Sequence, residues 1–269
     1  MDENMAEDEE GPTMTAEIHG VLRLHPWIGR VSADYDLDED LFSLAVKRAA
    51  AYGWSSTLLG AGQELSGQRW GHADAGGDWS QDGRVRQLAW LTVYPTAGLR
   101  AQHLPVRPMT QVLTDALHRM GVLHFTGLRV QAPVRLAPDA GFDLRADVDW
   151  FSLASPDAKA NVTVTISTES SVTGTLVCDL VAQRGHGLLH IEQTHRHASG
   201  AEGITPPASP LGVDDMPREP DMVFTVRAPE WTPDAAAWIA EVAVDSLRAA
   251  GVRAPARITV HRDAGDEGA

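Results

Sequence analysis

The strongest chemical signal in the sequence is a run of arginines in its middle third. Between Arg84 and Arg135 lie seven arginines and one acid, Asp115, so this segment carries +6 in a chain whose net charge is −15. Guanidinium groups bind phosphate and carboxylate groups, often through two parallel hydrogen bonds. The segment therefore predicts a binding surface for a small anionic ligand, with Arg84, Arg86 and Arg129 as contact residues.

The alternative for these arginines is structural. Arg84 and Arg86 follow Asp78 and Asp82 closely in the chain, and exposed ion pairs between such neighbours contribute little to stability. Duplex nucleic acid is not expected as a partner, because it requires a strongly positive surface and the chain as a whole is acidic.

A histidine followed two residues later by a hydroxyl side chain could hold and protonate a phosphodiester. The pattern occurs at His124-Phe-Thr126, inside the arginine-rich segment, and at His197-Ala-Ser199. It is short enough to arise by chance in a chain with 11 histidines. His124 and Thr126 are therefore catalytic candidates only for the alternative in which the protein is an enzyme acting on an anionic small molecule or phosphoester.

The densest set of metal-ligating side chains lies in the segment RGHGLLHIEQTHRH. In a regular strand His190 and Glu192 would share a face, with His186 near the same side. These three residues are an alternative metal site, but the His-Glu-x-x-His and paired-cysteine spacings of common zinc sites do not occur. The preferred interpretation is a polar strand end, and neither a metal nor a cofactor is expected.

Other residue types give weaker signals. The sequence has no Gly-x-Ser-x-Gly nucleophile elbow and no phosphate-binding glycine loop between a strand and a helix. Its one cysteine, Cys178, is predicted to be a core thiol. Trp70 and Trp79 lie in a polar stretch and are predicted to contact a ligand, whereas Trp90 and Trp150 are expected in the core.

Hydrophobic periodicity predicts the elements that position these residues. The first half alternates strand, helix, strand twice, at 17–24, 38–52, 54–59, 85–94, 109–120 and 122–131. This βαββαβ order is that of a ferredoxin-like plait. If strands 85–94 and 122–131 are neighbours, Arg86 lies near His124 and Thr126, while Arg129 points to the opposite face.

The second half has a different pattern. Four segments alternate apolar and polar residues and predict an antiparallel β-meander: 142–151, 160–168, 174–183 and 187–195. A strand, a helix and a strand then follow a proline-rich stretch and predict a closing βαβ unit.

The predicted architecture is therefore α+β. Its parts are a disordered acidic tail at 1–14, a ferredoxin-like region at 15–135, a β-meander at 136–197, a Pro/Gly-rich linker at 198–220, a closing βαβ unit at 221–262 and a second acidic tail at 263–269.

Composition narrows the class of protein. A single cysteine excludes a disulfide framework, no apolar run is long enough for a membrane helix, and the acidic start is unlike a signal peptide. These features predict a cytoplasmic protein without a membrane partner. The preferred function is non-catalytic binding of a small anionic ligand or a protein partner, and exposed strand edges would also allow a homo-oligomer. The alternative is an enzyme with a His/Arg site.

Overall fold

A computed structural model describes residues 12–28, 40–55, 69–95, 104–137, 145–195 and 222–262. Its strands are β1 (Met14–Leu24), β2 (Trp70–Gly76), β3 (Arg86–Pro95), β4 (Gly121–Ala132), β5 (Ala160–Thr168), β6 (His190–His195), β7 (Met222–Ala228) and β8 (Ala256–His261). The α-helices in these ranges are α1 (Leu41–Ala51), α2 (Val106–Met120), α3 (Arg145–Phe151), α4 (Gly174–Arg184) and α5 (Pro233–Ala249).

The eight strands form one antiparallel sheet in the order β2-β3-β1-β4-β8-β5-β7-β6. In the first half, β3 lies between β1 and β2, and β1 lies between β3 and β4. The second half repeats this pattern outward from the central β4–β8 pair, with β5, β6, β7 and β8 in the places of β1, β2, β3 and β4. Element order is repeated as well, since each half reads β-α-β-β-α-β apart from the short helix α3 between them.

Helices cover one face of the sheet. α1 contacts α2, α2 contacts α5, and α5 contacts α4, so these four helices form one layer. Side chains facing this layer are apolar and fully buried, as at Ile18, Val130, Val164 and Ile258. Side chains alternate along a strand, so the residues between them point to the other face, called here the open face.

Local sequence explains where the helices form. Asp40 caps α1 by accepting a hydrogen bond from the backbone N–H of Ser43 at 2.7 Å. In α2, buried residues recur at helical spacing, from Met109 through Val112 and Leu113 to Leu117. Thr232 caps α5 at the N–H of Ala235, 3.1 Å away.

The prediction of a mixed α+β protein is confirmed, while the finer ferredoxin-like assignment and the domain divisions stay predictions. The β-meander is wrong. Helices α3 and α4 occupy most of the predicted strands 142–151 and 174–183, and β7 separates β5 from β6. Short apolar segments fit either period: Val177, Cys178 and Val181 form a buried helical stripe in α4.

Two further differences concern polar segments and termini. Strand β2 lies in the polar stretch that contains Trp70 and Trp79, where no strand was predicted. It is an edge strand of the sheet, and polar side chains on an edge disfavour pairing with other chains. Met14, predicted to be in the tail, is the fully buried first residue of β1. The linker at 198–220, the tail at 263–269 and residues 56–59 of the predicted strand 54–59 lie outside the described residues.

Candidate functional site

Arg84 and Arg86 are paired with the acids that precede them. Arg86 Nη1 lies 2.7 Å from Asp78 Oδ2, and its Nη2 and Nε donate to Asp82. Arg84 Nε lies 3.8 Å from Asp82 Oδ2. Hydrogen bonds from Ser80, together with Arg86, hold the pKa of Asp78 below its usual value. The two arginines thus form the ion pairs with preceding acids that the structural alternative predicts.

The predicted meeting of Arg86 with His124 does not occur. Strand β1 separates β3 from β4, and Gly20 of β1 pairs with Arg86 on one side and Phe125 on the other. Directly paired residues share a face. Arg86 therefore lies on the face of the sheet that the helices cover, whereas His124, which pairs with Val21, lies on the open face.

A β-bulge in β4 also changes the position of Arg129. Arg129 pairs with Glu17 of β1, and His124 pairs with Val21 of β1. Glu17 and Val21 are an even number of residues apart and so lie on the same face, which places Arg129 and His124 together on the open face. The prediction that they point to opposite faces is wrong, because Thr126 is an extra residue between pairs and shifts the alternation. About 13 Å of strand separates the His124 and Arg129 positions, at about 3.3 Å per residue.

Glu17, His19 and Arg129 form a hydrogen-bonded group near the middle of the first half of the open face. Glu17 Oε2 accepts from Arg129 Nη1 at 3.2 Å and is 3.2 Å from His19 Nε2. Only 10% of the Glu17 side chain, 12% of that of Arg129 and 14% of that of His19 are exposed. Trp90, the other partner of Glu17, is buried against β2. These contacts hold the Arg129 guanidinium in one orientation.

The open face is cationic although the chain is acidic. Its paired residues on β1, β4, β8, β5 and β7 include four arginines, three histidines and a single acid: Arg23, Arg129, Arg227, Arg257, His19, His124, His261 and Glu17. Most of the remaining positions on this part of the face carry hydroxyl or amide side chains. Such a surface can bind an anion through charge and through hydrogen bonds.

Gly127 is buried where β4 lies close to β8. It pairs with His19 on β1 and with His261 on β8, so two histidines flank a position that has no side chain. A Cβ atom at Gly127 would lie 3.2 Å from the Cβ of His261. Gly127 is two residues from Arg129 along β4.

Sequence reasoning did not select Glu17, His19, Arg257 or His261 as site residues. Each belongs to a short alternating segment, and alternation indicates which residues share a face but not which strands are neighbours. The available signal was an acid and a histidine at alternate positions in the segment EIHGVLRL, a strand that proves to be central.

The alternative metal residues are not brought together. His186 and His190 are exposed, and Glu192 is skipped in the pairing of β6 with β7, which breaks the regular alternation assumed for it. No three His, Cys, Asp or Glu side chains in the described parts of the chain are placed to hold a metal ion.

The tryptophans differ from their predicted positions. Trp70 is fully buried in β2, so its assignment to a contact surface is wrong. Trp79 is half-buried, and its Nε1 donates to the carbonyl of Leu88 at 2.9 Å. Trp90 is in the core as predicted, whereas 62% of Trp150 is exposed. Trp150 lies on α3, which packs through its neighbour Phe151 against Trp238.

A separate charged cluster joins three helices. Arg107 of α2 contacts Asp234 of α5 through Nε at 2.9 Å and also pairs with Asp147 of α3. The backbone N–H of Arg107 donates to Glu241 Oε1 at 3.1 Å, and burial raises the pKa of Glu241 to about 8. This cluster lies in the helix layer, so its contacts are those of a structural connection.

Cys178 is buried on α4, and the prediction of a core thiol is confirmed. Burial raises the pKa of its thiol to about 11. Because the thiolate is the nucleophile, a thiol with this pKa is unsuited to covalent catalysis at neutral pH.

None of the described helices is long and apolar enough to cross a membrane. Comparisons with protein-family models, curated proteins and solved structures find no match to the chain. Its function therefore has to be inferred from the arrangement of its own residues.

Proposed function

We propose that the protein binds a small anionic ligand on the open face of its sheet, with Arg129 as the main contact, and that it acts as a non-catalytic binding protein. The observation that carries this proposal is the charge of that face. Among the described residues of β1, β4, β8, β5 and β7, four arginines and three histidines lie on that face with one acid, Glu17, in a chain whose net charge is −15.

Arg129 suits the role because it is preorganised and its donors are not all used. Glu17 fixes one Nη atom, and the buried Nε has no hydrogen-bond acceptor within the described structure. A guanidinium has five N–H donors, so a bound anion could accept from those that Glu17 leaves. A residue already held in its binding geometry loses less conformational entropy when the ligand arrives.

Arg84 and Arg86, the other predicted contacts, supply a matched comparison. Arg86 already has two carboxylate partners. An anion binding there would have to displace them, whereas Arg129 has one carboxylate partner and lies among further cationic side chains. The proposal therefore favours Arg129 over Arg86.

A thermal-shift titration with inorganic phosphate and with acetate at millimolar concentration tests the proposal. We expect at least one anion to raise the melting temperature of the native protein and of Arg86→Gln, but not that of Arg129→Gln. Because Arg129→Gln removes the arginine partner of Glu17, the double variant Glu17→Gln/Arg129→Gln provides a second test. An unchanged shift in both Arg129 variants, or no shift with any anion in the native protein, would refute the proposal.

The alternative function is an enzyme that acts on an anionic small molecule or phosphoester. The specific observation in its favour is the contact between Glu17 and His19, since a carboxylate that orients a histidine is a common arrangement in acid–base catalysis. Hydrolysis of bis(p-nitrophenyl) phosphate that is lost in His19→Asn or His124→Ala would support it. His124 and Thr126 then remain its catalytic candidates.

We also propose that each half of the chain is a ferredoxin-like plait. Supporting this, the order β2-β3-β1-β4 places the second strand of a hairpin between two parallel strands, which is the arrangement of a split βαβ unit. The order β8-β5-β7-β6 has the same form. The proposal also includes a cytoplasmic location and pairing with a protein partner or a second copy through the edge strands β2 and β6.

A further inference from the structure

A serine and a histidine meet at one edge of the sheet, on the face that the helices cover. His72 Nε2 of β2 lies 2.7 Å from the hydroxyl oxygen of Ser55, which follows the last residue of α1 by four positions. Ser55 is 8% exposed and His72 is half-buried. His72 pairs with Val93, which is fully buried beneath the helices. The pair is therefore separate from the proposed anion site on the open face.

The backbone holds Ser55 in this position. Gly53 ends α1 with a φ of 72°, and its N–H and that of Trp54 complete the hydrogen-bond pattern of a Schellman motif. The carbonyl of Trp54 then accepts from the N–H of Arg69 at 2.7 Å, immediately before β2. The segment that carries Ser55 is thus tied both to α1 and to the strand that carries His72.

The His72 ring is fixed by aromatic contacts, and one of its nitrogens has no partner. Phe42 and Trp70 pack edge-on against it, with ring centroids 6.1 and 6.3 Å away. Its Nδ1 is buried and has no hydrogen-bond partner among the described residues. Burial lowers the pKa of His72, so the imidazole is neutral at neutral pH. With its proton on Nδ1, the ring presents Nε2 as an acceptor for the hydroxyl proton of Ser55.

From this arrangement we infer that Ser55 is a nucleophilic serine, activated by His72, which is acylated by carboxylic esters that carry an apolar acyl group. The Oγ of Ser55 forms a bond to the ester carbonyl carbon, and its proton moves to His72 Nε2. The bond between that carbon and the alcohol oxygen breaks, and the leaving oxygen takes the proton from Nε2. The products are an acyl ester of Ser55 and the free alcohol.

The surroundings of the pair favour an apolar acyl group. Phe42, in contact with His72, and Trp54, next to Ser55, are half-buried, so part of each ring is exposed beside the pair. Gly53 is exposed, and a Cβ atom there would meet nothing within 4 Å, which leaves open space close to Ser55. An acyl chain bound in this space would cover apolar ring surface.

The unpartnered Nδ1 indicates that the acyl group stays on Ser55. In Ser-His-Asp sites a carboxylate at Nδ1 stabilises the imidazolium that forms when water attacks the acyl group. Within the described part of the chain, His72 has no such carboxylate. We therefore expect reactive esters to acylate Ser55 and the acyl group to hydrolyse slowly. Ser55 is then a modification site, which agrees with a protein that is not an enzyme.

The chromogenic ester p-nitrophenyl butyrate tests the inference, because it releases a coloured nitrophenolate. We expect the native protein to release a burst of about one nitrophenolate per chain, followed by turnover roughly 100-fold slower. Mass spectrometry of peptides should place the butyryl group on Ser55. The acyl chain of p-nitrophenyl acetate is two methylenes shorter, so its burst should be about tenfold slower if the chain is buried against the rings.

Three variants distinguish activation by His72 from a structural hydrogen bond. Ser55→Ala should abolish the burst, and His72→Gln should slow it about 100-fold, as expected when a general base is removed. Ser80→Ala is the matched control, since Ser80 is exposed and its hydroxyl donates to the carboxylate of Asp78 rather than to a histidine. Its burst should equal that of the native protein. Circular dichroism of each variant establishes that it is folded.

A burst that persists in folded Ser55→Ala, a butyryl group on another residue, or no burst in the native protein would refute the inference. An unchanged burst rate in folded His72→Gln would refute activation by His72. Equal burst rates with the acetate and butyrate esters would overturn the apolar acyl group. If Ser55→Ala does not fold, the position of the butyryl group in the native protein and the rate of His72→Gln still decide between the two roles of the pair.

Discussion

Replacing Glu241 by glutamine should stabilise the protein, and increasingly so as the pH rises. Glu241 lies on α5, is 7% exposed and accepts a hydrogen bond from the backbone N–H of Arg107 at 3.1 Å. Burial raises the pKa of its carboxyl to about 8 from about 4.5, and the nearby Asp147 and Asp234 contribute in the same direction. Glutamine keeps the accepting oxygen and the shape but carries no charge.

The magnitude follows from the linkage between proton binding and folding. The folded state binds the Glu241 proton more tightly than the unfolded state, so this group favours folding most below pH 4.5 and loses that contribution as the pH rises to about 8. At about 1.36 kcal/mol per pH unit, the loss is about 3 kcal/mol at pH 7 and about 5 kcal/mol above pH 8. Glu241→Gln does not titrate and avoids the loss.

Urea denaturation of both proteins at a series of pH values from 5 to 8.5 measures this effect. The difference in the free energy of unfolding between Glu241→Gln and the native protein should be small at pH 5 and should grow by about 1 kcal/mol per pH unit up to pH 8. Glu192→Gln, at an exposed residue of β6, is the control and should show no such trend. Parallel curves for Glu241→Gln and the native protein would refute the reasoning.

Three further predictions concern the core. Asp245→Asn should lower the free energy of unfolding by about 3–5 kcal/mol in the same urea assay, because it leaves the Arg184 charge partly buried between α4 and α5 without its carboxylate. The double replacement Asp245→Leu/Arg184→Met removes both charges and should lower the free energy of unfolding much less. Deleting residues 1–13 should leave the melting temperature unchanged, and a large shift on truncation would contradict this. Met14→Ala, in contrast, should lower the free energy of unfolding by about 2–5 kcal/mol, because Met14 is fully buried in β1. Cys178 should react with a thiol reagent at pH 8 only at the rate of unfolding, since it is buried with a pKa of about 11; rapid labelling of the folded protein would show that α4 opens locally.

Long periodic segments allowed the corresponding elements to be predicted from the sequence. The helix predicted at 109–120 falls within α2, the strand at 160–168 coincides with β5, and the helix at 38–52 contains α1. In each case the apolar residues repeat with one period, and a capping residue or glycine marks an end of each of the two helices. The segments 142–151 and 174–183 were misassigned because seven to eleven residues of alternating character satisfy both periods.

The candidate site was only partly accessible to such reasoning. Arg129 was selected from the sequence because arginines cluster in its segment, but the same signal selected Arg86, which is held by Asp78 and Asp82. To distinguish Arg129 from Arg86, one must know the face of the sheet on which each residue lies. That side depends on the bulge at Thr126, and a single unpaired residue leaves no mark on the hydrophobic pattern of a strand with mixed polarity.

By itself, the sequence determined the α+β class, the positions of the strongest helices and the unequal distribution of charge along the chain. These properties depend on local periodicity and composition, and neither of these depends on contacts with distant segments of the chain. Only the tertiary structure decided that β1 separates β3 from β4, that β4 pairs with β8, and that Glu17, Arg129 and Thr259 lie in one row across three strands. Strand order and register are set by packing and hydrogen bonding between residues that are tens of positions to more than 100 positions apart, and the proposed anion site depends on those pairings.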